Sequence, residues 1–178
     1  MKQINKELLI QVSKALDWVK EPLVYLGGAI LPFYATDRLV EESRGTQDVD
    51  CVVQVLSYGD FSKFEEEMRK HDFQHSVSQD DHQFRWLYDG VIVDVIPLYH
   101  ATNSSVNRWY KKGLKNPMTI ELEERHSIKV FQPEIYFLKK VEAFYDRGKD
   151  DILLSKDLED IIYLLNGREE LLEEFSNL

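Results

Sequence analysis

Cysteine is nearly missing from this chain. Cys51 is the only one among 178 residues, which excludes an intramolecular disulfide framework and any multi-cysteine zinc site. Long apolar runs are missing too, since no run approaches the roughly 18 residues of a membrane span. The first residues, MKQINKELLIQV, have neither the h-region nor the small-residue cleavage site of a signal peptide. Positive charge is in deficit, with 22 Lys plus Arg against 32 Asp plus Glu and a formal balance of −10. That balance disfavours a general nucleic-acid binder, because phosphate backbones recruit basic surfaces. No internal repeat or low-complexity segment is present. What remains is globular in character: 43% hydrophobic and 12% aromatic residues, on a chain long enough to bury roughly 70% of its unfolded surface. The expectation is a soluble cytoplasmic protein with no membrane partner, built as one domain or two small halves sharing a site.

Residues 4–20 predict an amphipathic helix, with Leu8, Leu9, Val12, Leu16 and Val19 on one stripe and Pro22 beyond it. Leu23–Leu26 predicts a short buried strand broken by Gly27-Gly28, and a helical segment is expected from there to about Leu39, with Pro32 in its first turn or at a kink. Asp48–Val55 is rich in β-branched residues and predicts a strand; Phe61, Phe64 and Met68 space a helix over 59–71. Asp89-Gly90 joins the runs 84–88 and 91–96, and a two-residue Asp-Gly link is a strong hairpin signal. Residues 101–116 are polar and basic, followed by two short strands near 119–122 and 127–131. From Pro133 onward the pattern is helical, with Ser155 as a good N-cap, Asp157 in the favoured first turn, and Gly167 as a stop.

Three acids sit inside apolar strand patterns. Asp48 and Asp50 are two apart, so both point to one side of a strand. Asp94 lies within Val91-Ile-Val-Asp-Val-Ile96, where a lone carboxylate is costly to bury. If these strands pair, the three converge and repel one another unless a divalent cation neutralises them. Mg²⁺ or Mn²⁺ suits such hard oxygens, and two such ions would clamp an in-line phosphoryl displacement. Taken alone, two Asp at i, i+2 more often mark a solvated strand mouth, and Asp94 could face solvent. The third feature, Gly27-Gly28 between a strand and a helix, exposes backbone N–H groups where a phosphate can sit.

Strand, Gly-Gly, helix, Asp-x-Asp and a later strand Asp together resemble the nucleotidyltransferase superfamily of DNA polymerase β-like fold. The signature reads Leu26-Gly27-Gly28, then Asp48-Val49-Asp50, then Asp94, with a longer gap before Asp48 than the superfamily usually has. Arg44-Gly-Thr46-Gln-Asp48-Val-Asp50 resembles the Arg-x-Thr-x-Asp-h-Asp form of the AbiEii-like toxin nucleotidyltransferases. Phe137 to Asp151, with Lys140, Arg147 and Gly148, and then Ser155 to Leu164, with Asp157 and Asp160, are similar to that group's C-terminal segments; the whole covers residues 24–167. The resemblance implies an α+β fold (the α/β nucleotidyltransferase fold), a mixed sheet flanked by helices with a C-terminal helical half. Residues 1–100 would form the catalytic half, 101–132 a basic connecting segment with short strands, and 133–178 a helical half completing the same site. It implies a transferase moving a nucleoside monophosphate from NTP to an acceptor hydroxyl on tRNA or protein with release of pyrophosphate, as the toxin of a toxin–antitoxin or phage-defence pair with a cognate antitoxin protein. Asp48 and Asp50 would ligate Mg²⁺ or Mn²⁺, and Asp94 would complete a second metal site and help deprotonate the acceptor. Gly27, Gly28, Arg44 and Thr46 would lie at the phosphates. Lys140 would reach the triphosphate, with Lys139 an equal candidate. Asp157 and Asp160 would bond Arg147 or brace the lysine helix.

Other candidates are weaker. His71 and His75 are four apart but straddle a helix exit; His100 follows the Asp94 strand; Cys51 alternates away from Asp50 and reads as a buried thiol. Trp86, Trp109 and Tyr110 read as packing residues, although Trp109-Tyr110-Lys111-Lys112 combines ring and charge as an RNA contact would. A catalytically silent nucleotide- or partner-binding module of the same fold is the competing reading. The charge is regional: residues 150–174 hold nine acids and two bases, whereas 108–129 hold six bases and three acids. That local excess suffices for a transient approach of RNA or triphosphate.

Overall fold

The structure is a computed structural model that describes residues 2–37, 43–76, 83–99, 108–148 and 152–178. Seven strands form one mixed sheet, β1 Leu23–Leu26, β2 Asp48–Val55, β3 Gln74–His75, β4 Arg85–Tyr88, β5 Val91–Tyr99, β6 Met118–Glu123 and β7 His126–Val130. Their order across the sheet is β3-β4-β5-β2-β1-β7-β6. The centre is β5 parallel to β2, and β2 antiparallel to β1. Hairpins close each side, β4–β5 through Asp89-Gly90 and β6–β7 through Glu124-Arg125. Asp89 and Gly90 both have positive φ, 46° and 80°, as a type I′ link requires. The β6–β7 hairpin joins the same sheet by pairing β7 parallel to β1.

Helices flank this sheet: α1 Lys2–Ala15, α2 Tyr58–Lys70, α3 Trp109–Lys115, α4 Pro133–Ala143, α5 Lys156–Gly167 and α6 Leu171–Ser176. The fold is therefore α+β with a helical C-terminal part. Alternation along β2 puts Val49, Cys51, Val53 and Val55 on one face, all buried, with Asp48, Asp50, Val52 and Gln54 on the other. Phe61, Phe64 and Met68 bury the inner face of α2, which Ser57 caps by accepting the Asp60 N–H. Ser155 caps α5 by accepting the Leu158 N–H. α4 begins with Pro133 in its first turn and runs into a π-helical turn, Phe144–Gly148.

Two expectations are corrected. The segment after Gly28 is no helix in its described part: a single 3-10 turn, Leu31–Phe33, is followed by irregular chain at 35–37. Tyr34 donates to the Phe131 carbonyl at 2.6 Å, and the N–H groups of Thr36 and Asp37 both bond the Gly167 carbonyl, so tertiary partners replace the helical ladder. The remainder of that expected helix, residues 38 and 39, lies outside the described residues. The first helix stops at Ala15 rather than 20, and Trp18 beyond it stacks on the His71 ring at 4.8 Å. The basic connecting segment holds a helix, α3, which seats Gly113 directly against the Phe131 ring.

Candidate functional site

The β2–β5 register aligns Asp50 with Asp94, and β1 aligns Leu26 with Asp50 on the other side. In-register residues on strands about 4.8 Å apart share a face, so Asp48, Asp50 and Asp94 do come together. The β4–β5 hairpin then aligns Arg85 with Asp94, and one row across the sheet reads Leu26, Asp50, Asp94, Arg85. Gly27 follows the row at φ 81°, and a Cβ there would lie 1.8 Å from Asp50 Oδ2. Only glycine leaves room for that carboxylate. A Cβ on Gly28 would meet Arg44 Nη2 at 3.0 Å and Thr46 Cβ at 3.4 Å. The glycine pair is thus lined by Asp50, Arg44 and Thr46.

The three carboxylates differ in their partners. Asp48 accepts a hydrogen bond from the Thr46 hydroxyl. Asp94 is 4% exposed and receives a two-pronged guanidinium, Arg85 Nε to Oδ1 at 2.9 Å and Nη2 to Oδ2 at 2.8 Å. The Asp50 carboxylate accepts no hydrogen bond from any described residue. Burial pushes its carboxyl up to about 6, opposed by the Lys139 ammonium and reinforced by Asp48 and Asp94. Cys51, on the opposite face, is buried and its thiol is pushed up by desolvation, which keeps it protonated.

The helical part closes over Gly27. The Tyr136 hydroxyl lies 3.2 Å from both the Gly27 carbonyl oxygen and Asp160 Oδ2. Asp160 is fully buried and also takes Arg44 through Nε at 2.9 Å and Nη2 at 3.2 Å. Lys140 is buried, with Nζ 2.6 Å from Asp160 and 3.1 Å from Asp157. Arg147 forks onto Asp157 at 2.9 and 3.2 Å. Desolvation pushes Asp157 up, but Arg147 and Lys140 outweigh it and hold the carboxyl at about 2. Asp157 bonds Arg147, and Asp157 and Asp160 together brace the lysine helix. The amine whose field acts most on Asp50 is Lys139, brought down to about 8 by desolvation and by Lys140.

A cleft of about 640 Å³ opens beside this row, lined by Arg44, Thr46, Gln47, Asp48, Ile92 and Lys156 among others. Helix α3 packs against β1 and β2 and so borders the same site, and its Tyr110 hydroxyl is pushed up by desolvation and by Asp50. Two residues in this environment are not singled out by the sequence pattern, Arg85 and Tyr136. Arg85 is legible by counting: a two-residue link pairs 88 with 91, hence 85 with 94. The other candidates lie elsewhere. His71 stacks on Trp18 and His75 on Trp86, with ring centroids 3.6 Å apart in the latter pair. Trp109 carries Arg108 and Lys112 near its ring at 4.8 and 5.5 Å. His100 lies outside the described residues.

The donor chemistry fits one hard divalent cation at Asp48 and Asp50. Asp50 is a crowded carboxylate without a hydrogen-bond donor among the described residues, and its neighbours raise the cost of its charge. Asp94 fits a second ion poorly, because Arg85 takes both of its oxygens. Among the described residues, no group of three or more His, Cys, Asp or Glu is arranged to hold a metal ion.

No protein-family model matches the chain, and no curated protein sequence matches it significantly. Solved structures do. The crystal structure of an antigenic nucleotidyltransferase-like protein from Paracoccidioides brasiliensis matches with a TM-score of 0.56 at 20% identity, covering 97% of this chain and 86% of that one. The solution structure of the antibiotic-resistance factor ANT(2'')-Ia matches with a TM-score of 0.58 at 13% identity, covering 99% and 94%. A crystal structure of ANT(2'')-Ia in complex with adenylyl-2''-tobramycin matches with a TM-score of 0.57 at 14% identity, covering 92% and 88%. At these identities the likeness is one of architecture: the chain has the mixed-sheet α+β fold of nucleotidyltransferase-like proteins.

Proposed function

We propose that the chain is a nucleotidyltransferase that moves a nucleoside monophosphate from NTP to an acceptor hydroxyl on tRNA or protein. The observation that carries this reading is the convergence of Asp48, Asp50 and Asp94 on one sheet face, beside a cleft. Asp48 and Asp50 would hold Mg²⁺ or Mn²⁺. When bound, such an ion offsets the charge of the triphosphate and polarises its α-phosphate. Lys139 takes the role that the family resemblance gives to Lys140, binding the polyphosphate as a point charge, because Lys140 is committed to Asp157 and Asp160. Gly27, Gly28 and Thr46 shape the floor under the phosphates, and Arg44 fixes that floor to α5 through Asp160. Arg85 orients Asp94, whose carboxylate receives the acceptor proton. The acceptor oxygen forms a bond to the α-phosphorus, the bond from that phosphorus to the pyrophosphate oxygen breaks, and pyrophosphate leaves.

The exposed lysines of α3, Lys111, Lys112 and Lys115, support an RNA acceptor, since α3 borders the site. The wider reading is a cytoplasmic toxin of a toxin–antitoxin or phage-defence pair. For a cognate antitoxin, the exposed Leu153 and Leu154 ahead of α5 are the supporting feature. We treat residues 1–100 and 133–178 as two sides of one cleft, joined by 101–132. The test is incubation of the full chain with each α-labelled NTP, Mg²⁺, total RNA, cell protein and an aminoglycoside, followed by fractionation. The Asp48→Asn/Asp50→Asn variant should lose all labelling; undiminished labelling overturns the roles given to these residues. The Arg85 fork on Asp94 favours one second reading, a silent nucleotide-binding module. Calorimetric NTP binding with no pyrophosphate released over any acceptor would establish it.

A further inference from the structure

Arg85 bears on how many ions such a site can hold. Its guanidinium is not a surface charge that happens to reach a carboxylate. The type I′ hairpin fixes Arg85 opposite Asp94, and cross-strand partners place their Cβ atoms about 5 Å apart. Trp86, the next residue, is fully buried and anchors β4 on the opposite face, against His75. Both guanidinium bonds are short, and the side chains are only 24% and 6% exposed. A two-pronged, partly desolvated pair of this kind is the strong form of the arginine–carboxylate contact. A dication on the same oxygens would have to expel the guanidinium or sit against its positive charge.

We propose that Arg85 occupies, on Asp94, the place of a second divalent cation, so that the site holds one ion tightly and a second only by displacing the guanidinium. This rests on the reading above, in which Asp48 and Asp50 bind the first ion. The buried Asp94 carboxylate needs a positive partner in either state. Arg85 supplies it without metal, through both carboxylate oxygens. Displacing charge-assisted hydrogen bonds of this type lowers the affinity of the competing ion by roughly tenfold to a hundredfold.

The experiment counts bound Mn²⁺ on the full chain by electron paramagnetic resonance of the free ion, with Mn²⁺ alone as the probe. The wild type should bind one ion per chain, with a second at least about tenfold weaker. Arg85→Gln should tighten the second ion by about tenfold or more, and Arg85→Lys, which keeps a charge but loses the fork, should fall between. Adding Asp94→Asn to Arg85→Gln should abolish the gain, which a merely structural role for Arg85 would not predict. Two equally tight ions in the wild type, or an unchanged second ion in both Arg85 variants with near-ultraviolet circular dichroism intact, overturns the proposal. No Mn²⁺ bound to the wild type overturns the metal reading and this proposal with it. Absence of nucleotidyl transfer, with the ion counts as expected, sinks the catalytic reading and leaves the Arg85 assignment standing.

Discussion

Gly27→Ala tests the central geometry without reference to any activity. Two costs meet at this position. The first is backbone strain, since Gly27 sits at φ 81° and a left-handed conformation costs a residue with a Cβ about 1–2 kcal/mol. Part of that is offset, because alanine also restricts the unfolded chain by about 0.4–1 kcal/mol. The second is steric: the new Cβ would stand 1.8 Å from Asp50 Oδ2, 2.6 Å from its Cγ and 3.0 Å from its Cβ. Asp50 must rotate or the backbone must shift, and overpacking of this kind typically costs about 1–3 kcal/mol. Gly90 separates the two, because it has φ 80° and a methyl group there would meet nothing within 4 Å. Gly90→Ala should therefore cost about 1 kcal/mol, and Gly27→Ala about 3 kcal/mol. The assay is urea unfolding of both variants, alone and in an Asp50→Ala background. Asp50→Ala removes the two nearest atoms, so the cost of Gly27→Ala should fall by about 1–2 kcal/mol there, while that of Gly90→Ala stays constant. Equal costs for the two glycines, or no coupling between Gly27 and Asp50, would refute the view that Gly27 exists to admit this carboxylate.

Adjacent lysines should behave in opposite ways. Lys140→Met leaves Asp157 and Asp160 short of a buried cation and should cost about 2–3 kcal/mol of unfolding free energy. Lys139→Met removes an amine already disfavoured in its charged form, so it should cost no stability yet weaken NTP binding about tenfold or more; a stable Lys140→Met protein would contradict this division. Asp157 should also shape acid stability. Its carboxyl is held at about 2, below its ordinary 3.8, so it contributes about 2 kcal/mol above pH 4 that is lost as pH falls toward 2. The gap in unfolding free energy between wild type and Asp157→Asn should narrow over that window, and a constant gap would count against the pairing.

The features legible in the sequence are those set by local rules. A β-branched run and an Asp-Gly link lead to β2 and the β4–β5 hairpin, and parallel β2–β5 pairing brings Asp50 beside Asp94. The helix expected after Gly28 fails because Tyr34, Thr36 and Asp37 find their partners at Phe131 and Gly167, far away in the chain. Helix α3 is hidden because it is only two turns long and rich in lysine; Trp109, Tyr110 and Leu114 pack on the core around Gly113, which meets Phe131. The choice between Lys139 and Lys140 depends on helix phase. Tyr136 and Lys140 are one turn apart on the buried stripe of α4, which sends Lys140 into the Asp157–Asp160 cluster.

The same cluster bears on how so acidic a chain would offer a place for the proposed polyphosphate. The acids of α5 divide by direction: Glu159 is exposed, whereas Asp157 and Asp160 are buried. The buried pair gathers three cations, Arg44, Lys140 and Arg147, each bonded to at least one of the two carboxylates. Those five groups alone carry one excess positive charge, which Glu159 Oε2, 4.0 Å from Arg44 Nε, offsets from the exposed side, and Lys139 adds a positive charge whose field acts on Asp50. Across from them, Arg85 cancels Asp94, which leaves Asp48 and Asp50 as the uncompensated negative pair. Near the site the charges thus come close to balance, and the overall −10 belongs mainly to solvated surface, screened over about 8–10 Å at ordinary ionic strength. A triphosphate alone would still meet two carboxylates, and a lone dication would meet Lys139 and Lys140. The first ion binds by itself, but the two together satisfy both sides better than either alone, so affinity for nucleotide and affinity for a divalent cation should each rise in the presence of the other, by the same factor.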